Sequence, residues 1–381
     1  MFVSAPTKDG FVDADNGSIL KKMRNTFGAA VVCFVLSAVC ALAQTAAPGM
    51  DLSNDKLTLT VAAMGGKFTT LVMREGDGTS PIHTIGHFLA LDGFGAASEE
   101  EQALGMPFHG EANRREMKVV ASNTSGPVRV LTLQSTLPLA QETLTRTMQL
   151  VDGENIVYVT SQLESALTID RPISWAEHAT IGQPFLAKGK TVVDMPGVNC
   201  RVRPYKPGPI PGHLVYDQDF QWPMAPTIDG GKADIREVPT DHNWLDLASC
   251  QMDTRRRLAF VTALNLETHL LFGYVFRRAD YPWVMSWMNF TGDERIARGM
   301  EFSTQPFDVG HRETVAMGPM FGTPTLRWLP AKSTIETRYL IFYTRVPTEF
   351  MRIDDVRLEN GALTIVDHSG KSVTLPASKQ F

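Results

Sequence analysis

The apolar positions of this chain recur mainly at every second residue. Leu57-Thr58-Leu59-Thr60-Val61 opens the pattern and Gly65-Gly66 turns it. Residues 128–133 lead into 144–150, and Asp152-Gly153-Glu154-Asn155 reads as the turn of a hairpin returning through 156–160. Further strands read at 258–265, 270–276, 283–290, 299–304 and 337–343. Successive strand side chains point to opposite faces of a sheet, so each stretch offers one apolar face for burial. The tail adds two hairpins, with turns at Glu359-Asn360-Gly361 and His368-Ser369-Gly370-Lys371. Helical signals are confined to short turns around 98–104 and 348–353. No repeat of roughly 20–50 residues marks a propeller or solenoid. The pattern predicts an all-β chain: one large antiparallel two-sheet β-sandwich, with the tail hairpins at one edge. Pro-rich connections at 208–211 and 223–231 are expected to cover an edge or wall a cleft.

The first 43 residues follow other rules. Lys21, Lys22 and Arg24 precede an apolar run, 27–40, and Ala41-Leu42-Ala43 follows as a small-residue exit. A basic start, a short apolar run and such an exit predict a secretory signal peptide cleaved after Ala43. Met23 is its expected start, and residues 1–22 form an N-terminal extension. A lipid anchor through Cys40 is disfavoured by Val39, where a small residue is expected. The run is shorter than the ~20 apolar residues of a spanning helix, and nothing later approaches that length. The expected organisation is therefore 1–43 removed, 44–346 as sandwich and 347–381 as a hairpin extension, in a periplasmic or secreted protein without a membrane span. Two cysteines, Cys200 and Cys250, would remain in an oxidising compartment, either paired or as two buried thiols.

Composition narrows the partners. Among 381 residues, 36 Lys and Arg against 41 Asp and Glu give a formal charge of -5, too acidic for binding a phosphate backbone, so no nucleic-acid partner is expected. Phosphate-loop, dinucleotide, Gly-x-Ser-x-Gly and His-Glu-x-x-His motifs are absent. His83 and His87 share a face on a helix or a strand, but no third ligand lies nearby in sequence. Neither metal nor cofactor is expected.

Three segments carry chemistry. Gly105-Met106-Pro107-Phe108-His109-Gly110 boxes a histidine between turn-forming residues, where its ring can enter a cleft. In Trp175-Ala176-Glu177-His178, a regular strand sends Glu177 and His178 to opposite faces, so only one can face a cleft. In Gly299-Met300-Glu301-Phe302-Ser303-Thr304-Gln305, Glu301 and Ser303 share a face. A carboxylate flanked by Met300 and Phe302 is a rim charge or an acid–base group in an apolar setting.

Taken in order, His109-Gly110, His178, Asp241-His242-Asn243 and Glu301 with Thr304-Gln305 resemble the galactose mutarotase (aldose 1-epimerase) family. The sites stand 69, 63 and 60 residues apart, within a resemblance that runs over about 52–346. It departs from the family in three places. Glu177-His178 replaces an Asn-His pair, the family's Arg-containing segment before the His-Gly loop has no match in the Gly86–Gly93 stretch, and Ser303 occupies the ungapped position of the family's base, two residues after Glu301.

The resemblance implies an isomerase that interconverts sugar anomers by ring opening, with one acid and one base and no metal. It casts His178 as the acid, Glu301 as the base, and His109 and Asp241 as binders of hydroxyls. Trp222 or Trp287 is expected to stack on a sugar face. The implied partner is a small sugar or a glycan terminus. The alternative is a catalytically inactive carbohydrate-binding protein on the same fold, and a third reading is a polysaccharide-processing enzyme.

Overall fold

In the computed structural model the described residues are 49–205, 209–240, 243–292 and 296–381. The expected signal segment and Asp241 lie outside them. Two antiparallel sheets face each other. The first runs, in spatial order, through Thr191–Asp194, Leu258–Asn265, Leu270–Arg277, Thr334–Arg345, Ile156–Ser165, Glu142–Val151, Val128–Leu137 and Lys118–Asn123. The second orders Asp219–Gln221, Gly197–Val202, Leu245–Met252, Trp283–Asn289, Glu301–Ser303, Trp175–His178 and Phe88–Leu91, with Thr180–Gly182 and Ala297–Gly299 paired beside this path. A three-stranded sheet of Met50–Ser53, Leu57–Val61 and Phe68–Met73 adds to the same core. The all-β sandwich read from the period-two pattern is the fold observed.

Alternation decides what each face buries. Val157 and Val159 enter the core between the sheets, while Ile156 and Tyr158 on the same strand point the other way. That outer face is not left to water. The tail, a three-stranded sheet of Ile353–Glu359, Ala362–Asp367 and Ser372–Pro376, sets Val356, Leu358, Leu363 and Ile365 against Leu271, Val275, Leu340 and Phe342. The tail therefore covers a face of the first sheet rather than extending an edge. Strands covered on both sides read as nearly continuous apolar runs, as Leu270–Arg277 does.

Helix is scarce and short. Glu99–Ala103 falls within the expected turn, with Ser98 and Glu101 closing a capping box at its start. A second helix, His311–Met317, begins after Gly310 and carried no period-two or clear helical signal. Residues 348 and 349 form a turn, and no helix precedes the strand that starts at Ile353. Cys200 and Cys250 sit directly across from each other on neighbouring strands and form a disulfide. Among the described residues no helix is long and apolar enough to cross a membrane.

Candidate functional site

The site grows from one row across the second sheet. His178 pairs in register with Phe88 on one side. On the other, Glu177 lies opposite Phe302 and Thr180 opposite Gly299, a single register that sets His178 across from Glu301. Glu301 in turn pairs with Met285. Directly opposed residues share a face, so Phe88, His178, Glu301 and Met285 form a continuous stripe, and all four line one cavity of about 510 Å³. The Phe88 ring stacks on the His178 imidazole with centroids 4.3 Å apart.

Glu177 goes the other way, as the alternation requires. It is buried between the sheets, where its Oε2 accepts hydrogen bonds from His87 (2.9 Å), Arg146 (3.1 Å) and Tyr339 (3.1 Å). Burial alone would raise this carboxyl, but the Arg146 charge and the hydrogen bonds from His87 and Tyr339 outweigh it and hold it at about 2. His87 also meets the Tyr274 hydroxyl through Nδ1 at 3.2 Å, so both of its ring nitrogens are occupied in the core. The His83–His87 pair is thus split, with His87 engaged in this network.

His109 reaches the cavity from its loop. Its own φ is +63° and that of Gly110 is +77°. A Cβ on Gly110 would sit 1.8 Å from the Leu91 carbonyl oxygen, so only glycine lets the loop approach this strand. The Gly95 N–H donates to His109 Nδ1 at 3.0 Å, which leaves Nε2 to carry the proton of the neutral ring. Burial, then the nearby Arg114 and Lys67 charges, push His109 down to about 4. The His109 and His178 rings meet edge to face at 4.9 Å.

His178 Nε2 and Glu301 Oε1 are 3.6 Å apart, just beyond direct hydrogen-bond range. His178 Nδ1 lies 3.2 Å from the Thr180 hydroxyl. Burial holds His178 well below its ordinary value and, with the Asp308 charge, drives Glu301 well above the carboxylate range. Neither Glu301 oxygen has a hydrogen-bond partner. Both shifts favour the uncharged forms, a neutral imidazole beside a protonated carboxyl, two groups able to exchange a proton through an oxygen lodged between them.

Sequence reading missed three charged lining residues, Lys67, Arg203 and Asp308. Arg203 donates to Asp308 Oδ2 at 2.6 Å, the Tyr205 hydroxyl donates to Asp308 Oδ1 at 2.5 Å, and Lys67 approaches the Phe88 ring at 5.4 Å. Asp308 lies three residues after the segment that ends at Gln305, and Arg203 stands between the strand Gly197–Val202 and Pro204. Both are visible as charged residues next to or near a proline, but nothing local joins them. Trp287 lines the cavity, its ring 6.4 Å from that of His178. Trp222 does not. It borders a separate groove with Phe220 and Met224 and packs beside Gly197, because it follows Asp219–Gln221, the strand at the far edge of the sheet. Ser303 is buried and donates to the Gln305 carbonyl, so it does not occupy the cavity.

No family model matches the sequence, and no curated protein matches it. Solved structures do. A galactose mutarotase-like protein from Lactobacillus casei is 16% identical with a TM-score of 0.54, covering 78% of this chain and 100% of its own. The galactose mutarotase related enzyme of Lactobacillus acidophilus is 11% identical with a TM-score of 0.52, covering 81% and 100%. The Slr1438 protein of Synechocystis sp. PCC 6803 is 12% identical with a TM-score of 0.55, covering 78% and 96%. This chain has the galactose mutarotase-like sandwich fold, at remote sequence distance.

Proposed function

We propose that this protein is an exported aldose 1-epimerase-like isomerase that opens and recloses the ring of a small sugar or glycan terminus. The observation that carries the reading is the buried His178–Glu301 pair, 3.6 Å apart across one register on the cavity floor. The export half of the reading rests on the basic, apolar and small-residue order of residues 21–43.

The resting proton distribution sets the roles. With the proton on Glu301, its carboxyl donates to the ring oxygen while His178 Nε2 accepts the proton of O1. The bond from C1 to the ring oxygen breaks as the C1 carbonyl forms. Rotation about C1–C2 presents the other carbonyl face, and both protons return as the ring closes. This starts the exchange with Glu301 as acid and His178 as base, the reverse of the order implied by the resemblance. Over a full cycle each group serves once in each role, because ring closing is the reverse of ring opening. The His109 Nε2–H is free to bind a hydroxyl, and the Trp287 ring offers an apolar face to the sugar. No metal or cofactor enters this route.

Binding without turnover is the second reading. It is favoured by the lack of any hydrogen-bond partner on the Glu301 oxygens, which leaves the ionised form of that carboxyl without support. One experiment separates the two. Polarimetry or NMR exchange on fresh α-glucose and α-galactose should show relaxation faster than buffer, lost in Glu301→Gln. A rate equal to buffer with both sugars retained in a binding assay would select the second reading.

A further inference from the structure

We infer that the cavity takes a reducing sugar bearing an apolar substituent, such as an acyl or aryl group, on the end away from C1. This rests on the anomer-exchange reading of the site and adds the substrate class. Seven of the fourteen side chains lining the cavity are polar, and four of those seven are committed. His178 and Glu301 face the reacting atoms, and Arg203 pairs with Asp308 at 2.6 Å, although the buried Arg203 Nε has no partner. Lys67, Thr84 and His109 are left to bond hydroxyls. An unsubstituted hexose carries hydroxyls around its whole ring, and a buried hydroxyl without a partner is costly.

The remaining wall is apolar. Phe88, Phe94, Leu247, Met285 and Trp287 bound a volume of about 510 Å³, at the scale of sites that enclose ligands larger than one bare pyranose. The apolar surface also continues outward. Phe108, next to His109, is 54% exposed and Ile85 is 38% exposed, and both line the cavity at its mouth. Exposed apolar side chains continuous with an apolar interior mark a binding surface rather than scattered surface residues. His178 and Glu301 fix the reacting end on the sheet floor, so the far end of the sugar meets the loop that carries Phe108.

The test compares D-glucose with 6-O-benzyl-D-glucose and 6-deoxy-D-glucose by NMR exchange, with binding followed by calorimetry. Small apolar additions in such pockets change kcat/KM by about tenfold or more. We expect kcat/KM at least about tenfold higher for the benzyl sugar than for glucose, with the deoxy sugar between them. Phe108→Ser, at a half-exposed position, should shrink the benzyl-to-glucose ratio severalfold; an unchanged ratio would overturn the assignment of the mouth. Turnover of all three sugars with a ratio at or below one would overturn the substrate class and leave the isomerase reading intact. No turnover of any sugar, with benzyl glucose bound at least tenfold more tightly, would overturn the isomerase reading and support the apolar site. No turnover and no binding preference would overturn both.

Discussion

Gly299 and Glu301 are held together by the absence of a side chain. A Cβ on Gly299 would sit 2.6 Å from Glu301 Oε1 and 2.9 Å from the Trp287 backbone nitrogen. The carboxyl occupies the space that any larger residue at 299 would take, so the glycine is part of what aims Glu301 at His178. Gly299→Ala should therefore push the carboxyl away and strain the neighbouring backbone. The expected result is a kcat reduced about tenfold or more, with a lowered Tm, by NMR exchange and thermal unfolding. Wild-type activity in this variant would show that Glu301 tolerates displacement and is not the positioned group.

Glu301 also links activity to stability in opposite directions. In the folded protein burial keeps its proton on, while the unfolded chain releases it in the ordinary carboxylate range. Stability is then greatest below that range and declines as pH rises, until the folded group itself ionises. Each pH unit across this window is worth about 1.4 kcal/mol. Glu301→Gln removes the proton linkage, so its Tm should exceed wild type near about pH 7 and match it near about pH 4, while kcat falls about 10²-fold or more. A Tm gain that is the same at both pH values would show that proton linkage is not its cause.

Asp308 offers a way to tune that proton without touching either reacting group. Burial raises the Glu301 carboxyl first and the Asp308 charge adds to it, while Arg203 opposes both. Asp308→Asn keeps an acceptor for Arg203 and removes the negative charge. The alkaline limb of the kcat/KM profile should move to lower pH, because Glu301 then gives up its proton more easily. An unmoved limb would mean that another group sets it.

The core network around Glu177 predicts acid behaviour of the other sign. Burial works against the charged carboxyl, but Arg146, His87 and Tyr339 hold it at about 2, below its unfolded value. Its contribution is therefore complete above the ordinary carboxylate range and is lost as pH falls toward about 2. Glu177→Gln leaves the Arg146 guanidinium buried without its counter-charge, for an expected loss of about 3–5 kcal/mol in denaturant unfolding at neutral pH. A loss below about 1 kcal/mol would show that Arg146 finds other support.

The disulfide predicts a separate loss. Cys200 and Cys250 close a loop with a sequence separation of 50, and they join the strand that leads to Arg203 with the strand that carries Leu247. Reduction, or Cys250→Ser with Cys200→Ser, should lower stability by about 2–4 kcal/mol. Thermal unfolding with and without reductant checks this, and an unchanged Tm would rule out a stabilising bond.

By itself the sequence determined the alternation, and with it the sandwich and the division of Glu177 from His178 between core and cavity. Both follow from the period of a strand, which any run of residues carries locally. It also held the His109-Gly110 loop, because turn chemistry is local too. Other features needed the folded chain. The register that sets His178 across from Glu301, and Ser303 away from the cavity, joins strands far apart in sequence; no local pattern encodes which residue faces which. The same holds for the Arg203–Asp308 pair and for Cys200 opposite Cys250. Trp222 and Trp287 are alike as sequence, yet only the strand order of the sheet puts one on the cavity wall and the other at a distant edge. The tail was legible as hairpins, but its own apolar face fits either a sheet edge or a sheet face. The outward-pointing Ile156, Leu271, Val275 and Leu340 form the apolar surface that decides it, and they come together only when their strands pair.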